Sequence, residues 1–231
     1  MALTPPRGAS CVLVAVLSLP LPSSGFETPL SDTAVREAYF LGQRHDLRCL
    51  DAYTKSLPLP AKGPHVAAVT FLTPFAQVVQ RISNSVENYS AQQAQADHRK
   101  VAESVQVVVL INLTPSSGPV VSPGDASSPD IKPVFRPYDF WKDFSVAVFD
   151  GDQPRQPSGF HGHAGSSCGQ RGPCSLIGAT LEFTFPAASF ASDTAVIRIA
   201  PPEGDPVTAD FSLASLRCPC AYSFVPPPLL S

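Results

Sequence analysis

The sequence predicts an α+β fold, mainly an antiparallel sheet or sandwich of about six strands braced by two helices. Helical spacing of apolar residues is confined to the first half of the chain, and short segments rich in valine and isoleucine dominate the second half. The later segments are separated by turn sequences such as "DGD" and "PPEGDP". The length of 231 residues suits one domain with short appendages.

Two segments have the apolar spacing of helices. The first helix begins at Ser31 or Asp32, either of which can cap it, and Pro58 ends it. The second begins with Pro74, which suits a first helical turn, and runs to Glu103 as the longest predicted element. Their apolar positions are Val35, Ala38, Tyr39, Leu47, Leu50 and Tyr53 in the first helix and Val78, Ile82, Val86 and Tyr89 in the second.

Six segments have the composition of strands, and Ser104–Leu113 is the central one. Apolar residues occupy both its odd and its even positions, as expected of a strand covered on both faces. We expect Val107, Val109 and Ile111 to be buried, with the second helix covering one face. The other predicted strands are Val66–Leu72, Phe144–Phe149, Leu176–Phe185, Ala195–Ile199 and Val207–Leu213.

The N-terminus has the layout of a secretory signal peptide over residues 1–25. Arg7 precedes an apolar run at 11–19, and small residues follow that run. The run is too short for a membrane-spanning helix, which needs about 20 residues. We therefore expect an exported protein, periplasmic or extracellular, with a mature chain that starts near Phe26 and no membrane-spanning segment after cleavage.

One α+β domain is predicted over residues 26–217. Within it, the Pro-, Ser- and Gly-rich stretch 114–138 is too long for a plain connection, and we expect a mobile loop. The run 218–231 breaks from the preceding pattern and is predicted to be a disordered tail, with a partner-binding tail as the alternative.

The charge balance argues against nucleic acid as a partner. The chain has 16 basic and 19 acidic residues and a formal net charge of −3. Binding to a phosphate backbone depends on a basic surplus, which this chain lacks. We expect the partner to be an envelope component or another protein.

The glycine-rich stretch 158–174 contains the residue types of a reactive site. His161 and His163 would lie on one side of an extended chain, and neutral imidazole is a common zinc ligand. Asp150 and Asp152 follow a predicted strand and could supply oxygen ligands. These four residues define an alternative function, a metal-dependent hydrolase with zinc as its cofactor.

The interpretation we favour for this stretch is a polar loop closed by a disulfide between Cys168 and Cys174, with no metal, cofactor or catalytic residue. Five residues separate the two cysteines, whereas zinc knuckles have about two to four. Export favours oxidation over thiolate coordination. Removal of the signal peptide leaves five cysteines, an odd number, so at least one is unpaired within the chain.

Residues 165–169, "GSSCG", match the G-x-S-x-G nucleophile elbow, with Ser167 as the nucleophile. The elbow needs a strand before the serine and a helix after it, and neither flank has such a pattern. In that family the base histidine follows the serine, yet no histidine lies beyond His163. We therefore discount a serine hydrolase.

The string "RPYDFWKDF", residues 136–144, concentrates aromatic side chains. If exposed, they could form a platform for a sugar or a peptide. If buried, they anchor the entry to the strand that follows, and this is the interpretation we favour.

In the strings "AYFLGQRHD", "YSAQQAQADHRK" and "RPYDFWKDF" the chain resembles a set of uncharacterised exported bacterial proteins. The resemblance extends over residues 31–217. The resemblance implies export and a single folded unit. It implies no activity.

Two classes of function follow from these patterns. A non-catalytic exported binding module is favoured, because no coherent set of acid, base and nucleophile is present. The metal-dependent hydrolase is the alternative, and it requires three of its four candidate ligands to lie in one coordination sphere.

Overall fold

The computed structural model describes residues 25–45, 47–85, 89–114, 136–168 and 174–216. The predicted signal peptide up to residue 24, the interior of stretch 114–138 and the tail 218–231 lie outside these residues. The backbone alone is described for Leu47, Cys49, Cys168, Cys174 and Ser175.

Two antiparallel sheets and three α-helices make up the described part of the chain, which confirms the predicted α+β class. The helices are α1 (Asp32–Gln43), α2 (Pro74–Ser83) and α3 (Ala91–His98). The strands are β1 (Thr54–Ser56), β2 (His65–Leu72), β3 (Ser104–Asn112), β4 (Ser145–Asp150), β5 (Gln153–Arg155), β6 (Gly159–Cys168), β7 (Cys174–Pro186), β8 (Thr194–Ala200) and β9 (Val207–Ser212). Within these ranges, no helix has the length and apolar character needed to cross a membrane.

The sheets pack face to face. One has the strand order β1-β2-β3-β7-β6 and the other the order β5-β4-β8-β9. The six predicted strands are β2, β3, β4, β7, β8 and β9, and the structure adds β1, β5 and β6. Phe71 of β2 and Phe211 of β9 meet in the shared core with ring centroids 5.6 Å apart. Since each fully buried phenylalanine contributes roughly 1.5–3 kcal/mol, such contacts hold the two layers together.

The central strand is confirmed, but its predicted cover is wrong. Val107, Val109 and Ile111 are fully buried in β3. They belong to the core between the sheets, whereas Val78 and Ile82 of α2 belong to a separate cluster between the helices. Burial alternates along β3, so its inner side faces the second sheet and its outer side is partly exposed. Val86 lies outside the described residues.

The first helix begins as predicted and ends much earlier. The Ser31 hydroxyl accepts a hydrogen bond from the Ala34 amide at 3.2 Å and caps α1. A Cβ on Gly42 would lie 2.6 Å from Cβ of Ile82, so glycine is required where α1 meets α2. The chain then turns through His45, whose φ of 50° is left-handed, and continues as a 3-10 helix over Leu47–Tyr53.

The second predicted helix is divided in two. α2 begins at Pro74, as predicted, and ends at Ser83. α3 starts anew at Ser90, whose hydroxyl accepts from the Gln93 amide while the Gln93 side chain accepts from the Ser90 amide. This reciprocal capping box is a strong start signal inside a sequence whose composition favours one long helix.

Candidate functional site at strand β6

The stretch predicted to be a polar loop forms an edge strand. Residues 159–168 pair with β7 and make β6 the outermost strand of the five-stranded sheet. The loop prediction is therefore wrong over these residues. Ser167 lies within β6, beside an antiparallel strand, and this is not the strand-to-helix turn of a nucleophile elbow.

Within the described part of the chain, the edge of β6 that points away from β7 has no pairing strand. Among the described residues, no backbone hydrogen bond other than those of the β7 ladder involves β6. The strand has ten residues and contains neither proline nor lysine, which commonly protect sheet edges, and its register with β7 shifts once, between Gly165 and Ser166. Of the other edge strands, β1 and β5 have three residues each and β9 has six, and β5 contains Pro154. β6 is thus a long edge whose unpaired N–H and C=O groups can accept a further strand.

Aromatic side chains cover the inner face of β6. A Cβ on Gly162 would lie 2.6 Å from Cζ3 of Trp141, so only glycine lets the indole approach the strand this closely. The Trp141 ring lies 5.6 Å from Phe160, and Phe160 lies 4.7 Å from Phe183. Phe160 is 51% exposed. We call Trp141, Phe160 and Phe183 the aromatic cluster; it offers apolar surface beside the open edge.

The aromatic string 136–144 is divided between core and surface. Phe140 and Phe144 are buried, as the favoured interpretation predicts. Tyr138 is 65% exposed, and Trp141 is partly exposed within the aromatic cluster. The 3-10 helix over Phe140–Asp143 therefore anchors the entry to β4 and presents aromatic surface at the same time.

Two imidazole groups lie on the outer face of β6. His161 and His163 are exposed on the same face, with ring centroids 5.8 Å apart, which confirms that they lie on one side of an extended chain. His161 pairs across the sheet with Glu182 and His163 with Thr180. Gln106 of β3 donates to Oε2 of Glu182 at 3.3 Å. The histidines thus form a polar strip beside the open edge.

Asp150 is a buried structural carboxylate. Its Oδ2 accepts from Nη2 of Arg155 at 2.6 Å and from the Ala191 amide at 3.1 Å, and its Oδ1 accepts from the Ser192 amide at 2.9 Å. Burial raises the pKa of Asp150, but the two amides and the Arg155 guanidinium outweigh it and hold the pKa below its ordinary value. The carboxylate joins the β4–β5 hairpin to the segment that precedes β8.

The structure brings together the two histidines of the predicted metal set. Asp150 lies in the other sheet and uses both of its oxygens, and Asp152 is exposed in the β4–β5 turn. His161 and His163 face away from that sheet. Across the described ranges, no three His, Cys, Asp or Glu side chains are grouped so that they could hold a metal ion.

The disulfide prediction concerns side chains outside the described set. The backbone places Cys168 of β6 directly opposite Cys174 of β7. Directly opposed residues of antiparallel strands have Cα atoms about 4.5–5.5 Å apart, within the range of about 4.4–6.8 Å seen for disulfides. The pairing stays a prediction, and this register suits it.

The sequence matches no protein-family model, and no curated protein is significantly similar to it.

Proposed function

We propose that this chain is an exported, non-catalytic binding module whose binding surface is strand β6 together with the aromatic cluster. The observation that supports this most is an open edge strand flanked by the half-exposed ring of Phe160. Aromatic rings contribute large contact areas at low conformational cost, and they are enriched in binding surfaces.

The position of the acidic residues gives the hydrolase alternative no added support. Both Asp150 oxygens are engaged by hydrogen-bond donors in the four-stranded sheet. The imidazoles of His161 and His163 lie on the outer face of the other sheet. A metal centre that includes Asp150 would require this carboxylate to leave its part-buried ion pair with Arg155, which is costly.

Export is proposed from the N-terminal sequence. An apolar run flanked by Arg7 and by small residues is typical of a signal peptide. Phe26 is 2% exposed and belongs to the core between the sheets. A cleavage site at or before Phe26 would leave this core intact, whereas a later site would remove a core residue.

The test is binding of the purified mature protein to immobilised peptide and glycan arrays. The wild type is compared with Phe160→Ser and with Phe40→Ser, a matched control that removes a ring 48% exposed on α1. We expect Phe160→Ser to weaken binding by about tenfold or more, as for a central interface residue, and Phe40→Ser to leave it unchanged.

The proposal is contradicted if all three proteins bind the same ligands equally, because the surface would then lie elsewhere. Cleavage of a bound ligand that stops when zinc is chelated would instead support the hydrolase. Circular dichroism of the variants checks that a loss of binding does not reflect unfolding.

A further inference from the structure

We propose that the ligand of this surface is an extended peptide segment of another protein, which adds to the sheet as a further strand beside β6. This inference rests on the proposed function and names the class of its partner. It is carried by three features of β6: its open backbone edge, its inner face and its outer face.

The backbone of β6 selects for an extended chain. Alternate residues of an edge strand point their N–H and C=O groups outward, so donors and acceptors repeat at about 6.6–6.8 Å. Another extended peptide offers the complementary repeat, and strand addition is a common mode of peptide recognition. A polysaccharide backbone is joined through glycosidic oxygens and has no peptide N–H and C=O groups in the chain itself. β6 has ten residues, long enough for a ligand of several residues.

The inner face of β6 selects for apolar side chains. Phe160, Gly162 and Ala164 share this face, and Trp141 packs over the glycine. Side chains of an added strand would lie about 4.5–5.5 Å from their cross-strand neighbours, measured between Cβ atoms. Every second ligand residue would therefore lie on the face that carries the aromatic cluster, and those beside Phe160 and Gly162 would contact Phe160 and Trp141, where apolar side chains are favoured.

The outer face of β6 selects for side chains that form hydrogen bonds. His161 and His163 are exposed there, each able to donate or accept through its imidazole. Ligand residues between the apolar ones would lie beside these two rings. The ligand should thus alternate apolar and hydrogen-bonding residues, as a strand covered on one face does.

A second copy of this chain fits the edge less well than a foreign segment does. Gly159, Gly162 and Gly165 all lie in β6. Pairing β6 with another β6 would place glycine-rich segments side by side and bury little side-chain area. A partner strand with larger side chains would fill this space.

The test uses synthetic peptides of about eight residues that alternate valine and serine, with a lysine at each end, a length that β6 can pair. Two derivatives carry N-methyl groups, one on the valine amides and the other on the serine amides. In an extended strand these two sets of amides point in opposite directions, so only one set can donate to β6. A fourth peptide has the same composition in the order Val-Val-Ser-Ser. Binding to the full mature chain is read from the emission of Trp141, the single tryptophan.

The unmodified peptide should bind, and one N-methylated derivative should bind about tenfold or more weakly while the other stays within about threefold. The peptide with paired residues should also lose about tenfold. Equal losses for both derivatives, or no loss for either, would overturn strand addition.

A peptide that fails to bind while array ligands still depend on Phe160 would overturn this inference and leave the proposed function standing. If the peptide fails to bind and no array ligand depends on Phe160, both this inference and the proposed function are overturned. A segment of the chain itself on this edge would abolish peptide binding. A second copy there would make the apparent affinity fall as the protein concentration rises, and either result counts against the proposal.

Discussion

Replacing Asp150 with asparagine tests the buried network of the four-stranded sheet. All three partners of this carboxylate are donors: the Arg155 guanidinium and the amides of Ala191 and Ser192. Asparagine has the same shape, but one oxygen becomes an NH₂ group. In either orientation that group faces at least one donor, so at least one hydrogen bond is lost and the guanidinium loses its counter-ion. We expect Asp150→Asn to lower the free energy of unfolding by about 2–3 kcal/mol at pH 7.

The destabilisation caused by Asp150→Asn should decrease as the pH falls. The pKa of Asp150 is held below its ordinary value in the folded protein. Its contribution to stability is therefore complete above the unfolded-state pKa of about 3.9 and is lost as the pH falls through the folded-state pKa. The difference between wild type and Asp150→Asn should shrink as the solution is acidified.

Urea denaturation at pH 7 and at acidic pH measures both effects. Asp152→Asn is the matched control, since Asp152 is exposed in the same turn, and it should change the free energy of unfolding by less than about 0.5 kcal/mol. A structural role for the Asp150 carboxylate is contradicted if Asp150→Asn also changes the free energy of unfolding by less than about 0.5 kcal/mol at pH 7, or if its destabilisation grows as the pH falls.

Three further predictions concern glycines and the cysteine pair. Gly162→Val should displace the indole of Trp141, shift the tryptophan emission to longer wavelength and lower the free energy of unfolding by about 1–3 kcal/mol. Gly159→Ala is the control, because a Cβ there meets nothing closer than 3.7 Å, and it should leave emission and stability unchanged. Gly42→Ala should be destabilising in thermal unfolding, although helix propensity alone predicts a gain of about 1 kcal/mol, because α2 leaves no room for the methyl group. Mass spectrometry of the unreduced mature protein should find a peptide that links Cys168 to Cys174, and two free thiols there would disprove the disulfide.

Apolar patterning predicted the strands that lie within the core. β3, β7, β8 and β9 contain enough valine, isoleucine and phenylalanine to be found without tertiary information. The ends of the helices depended on contacts: α1 stops soon after Gly42, where it meets α2, and no local pattern predicts that approach. The start of α3 could have been predicted from Ser90 and Gln93, a capping-box pair visible in the sequence.

The strand at the candidate site is not evident from the sequence, because glycine obscures strand patterns. In β6, Phe160, Gly162 and Ala164 alternate with His161 and His163, which is the period of two expected for a strand. Glycine has low strand propensity, so the composition of this segment favours a loop despite the alternation. The part played by Trp141 could not be predicted, since its contact with β6 joins a 3-10 helix to a strand that follows later in the chain.

Amide hydrogen exchange of residues 159–168 shows whether the free edge of β6 is the binding surface. In the mature protein alone, alternate amides of β6 donate to β7 and should exchange slowly, while the amides between them should exchange quickly. Adding the alternating valine and serine peptide should slow this second set and leave the first unchanged. Binding of the peptide with no change in exchange along β6 would contradict the account.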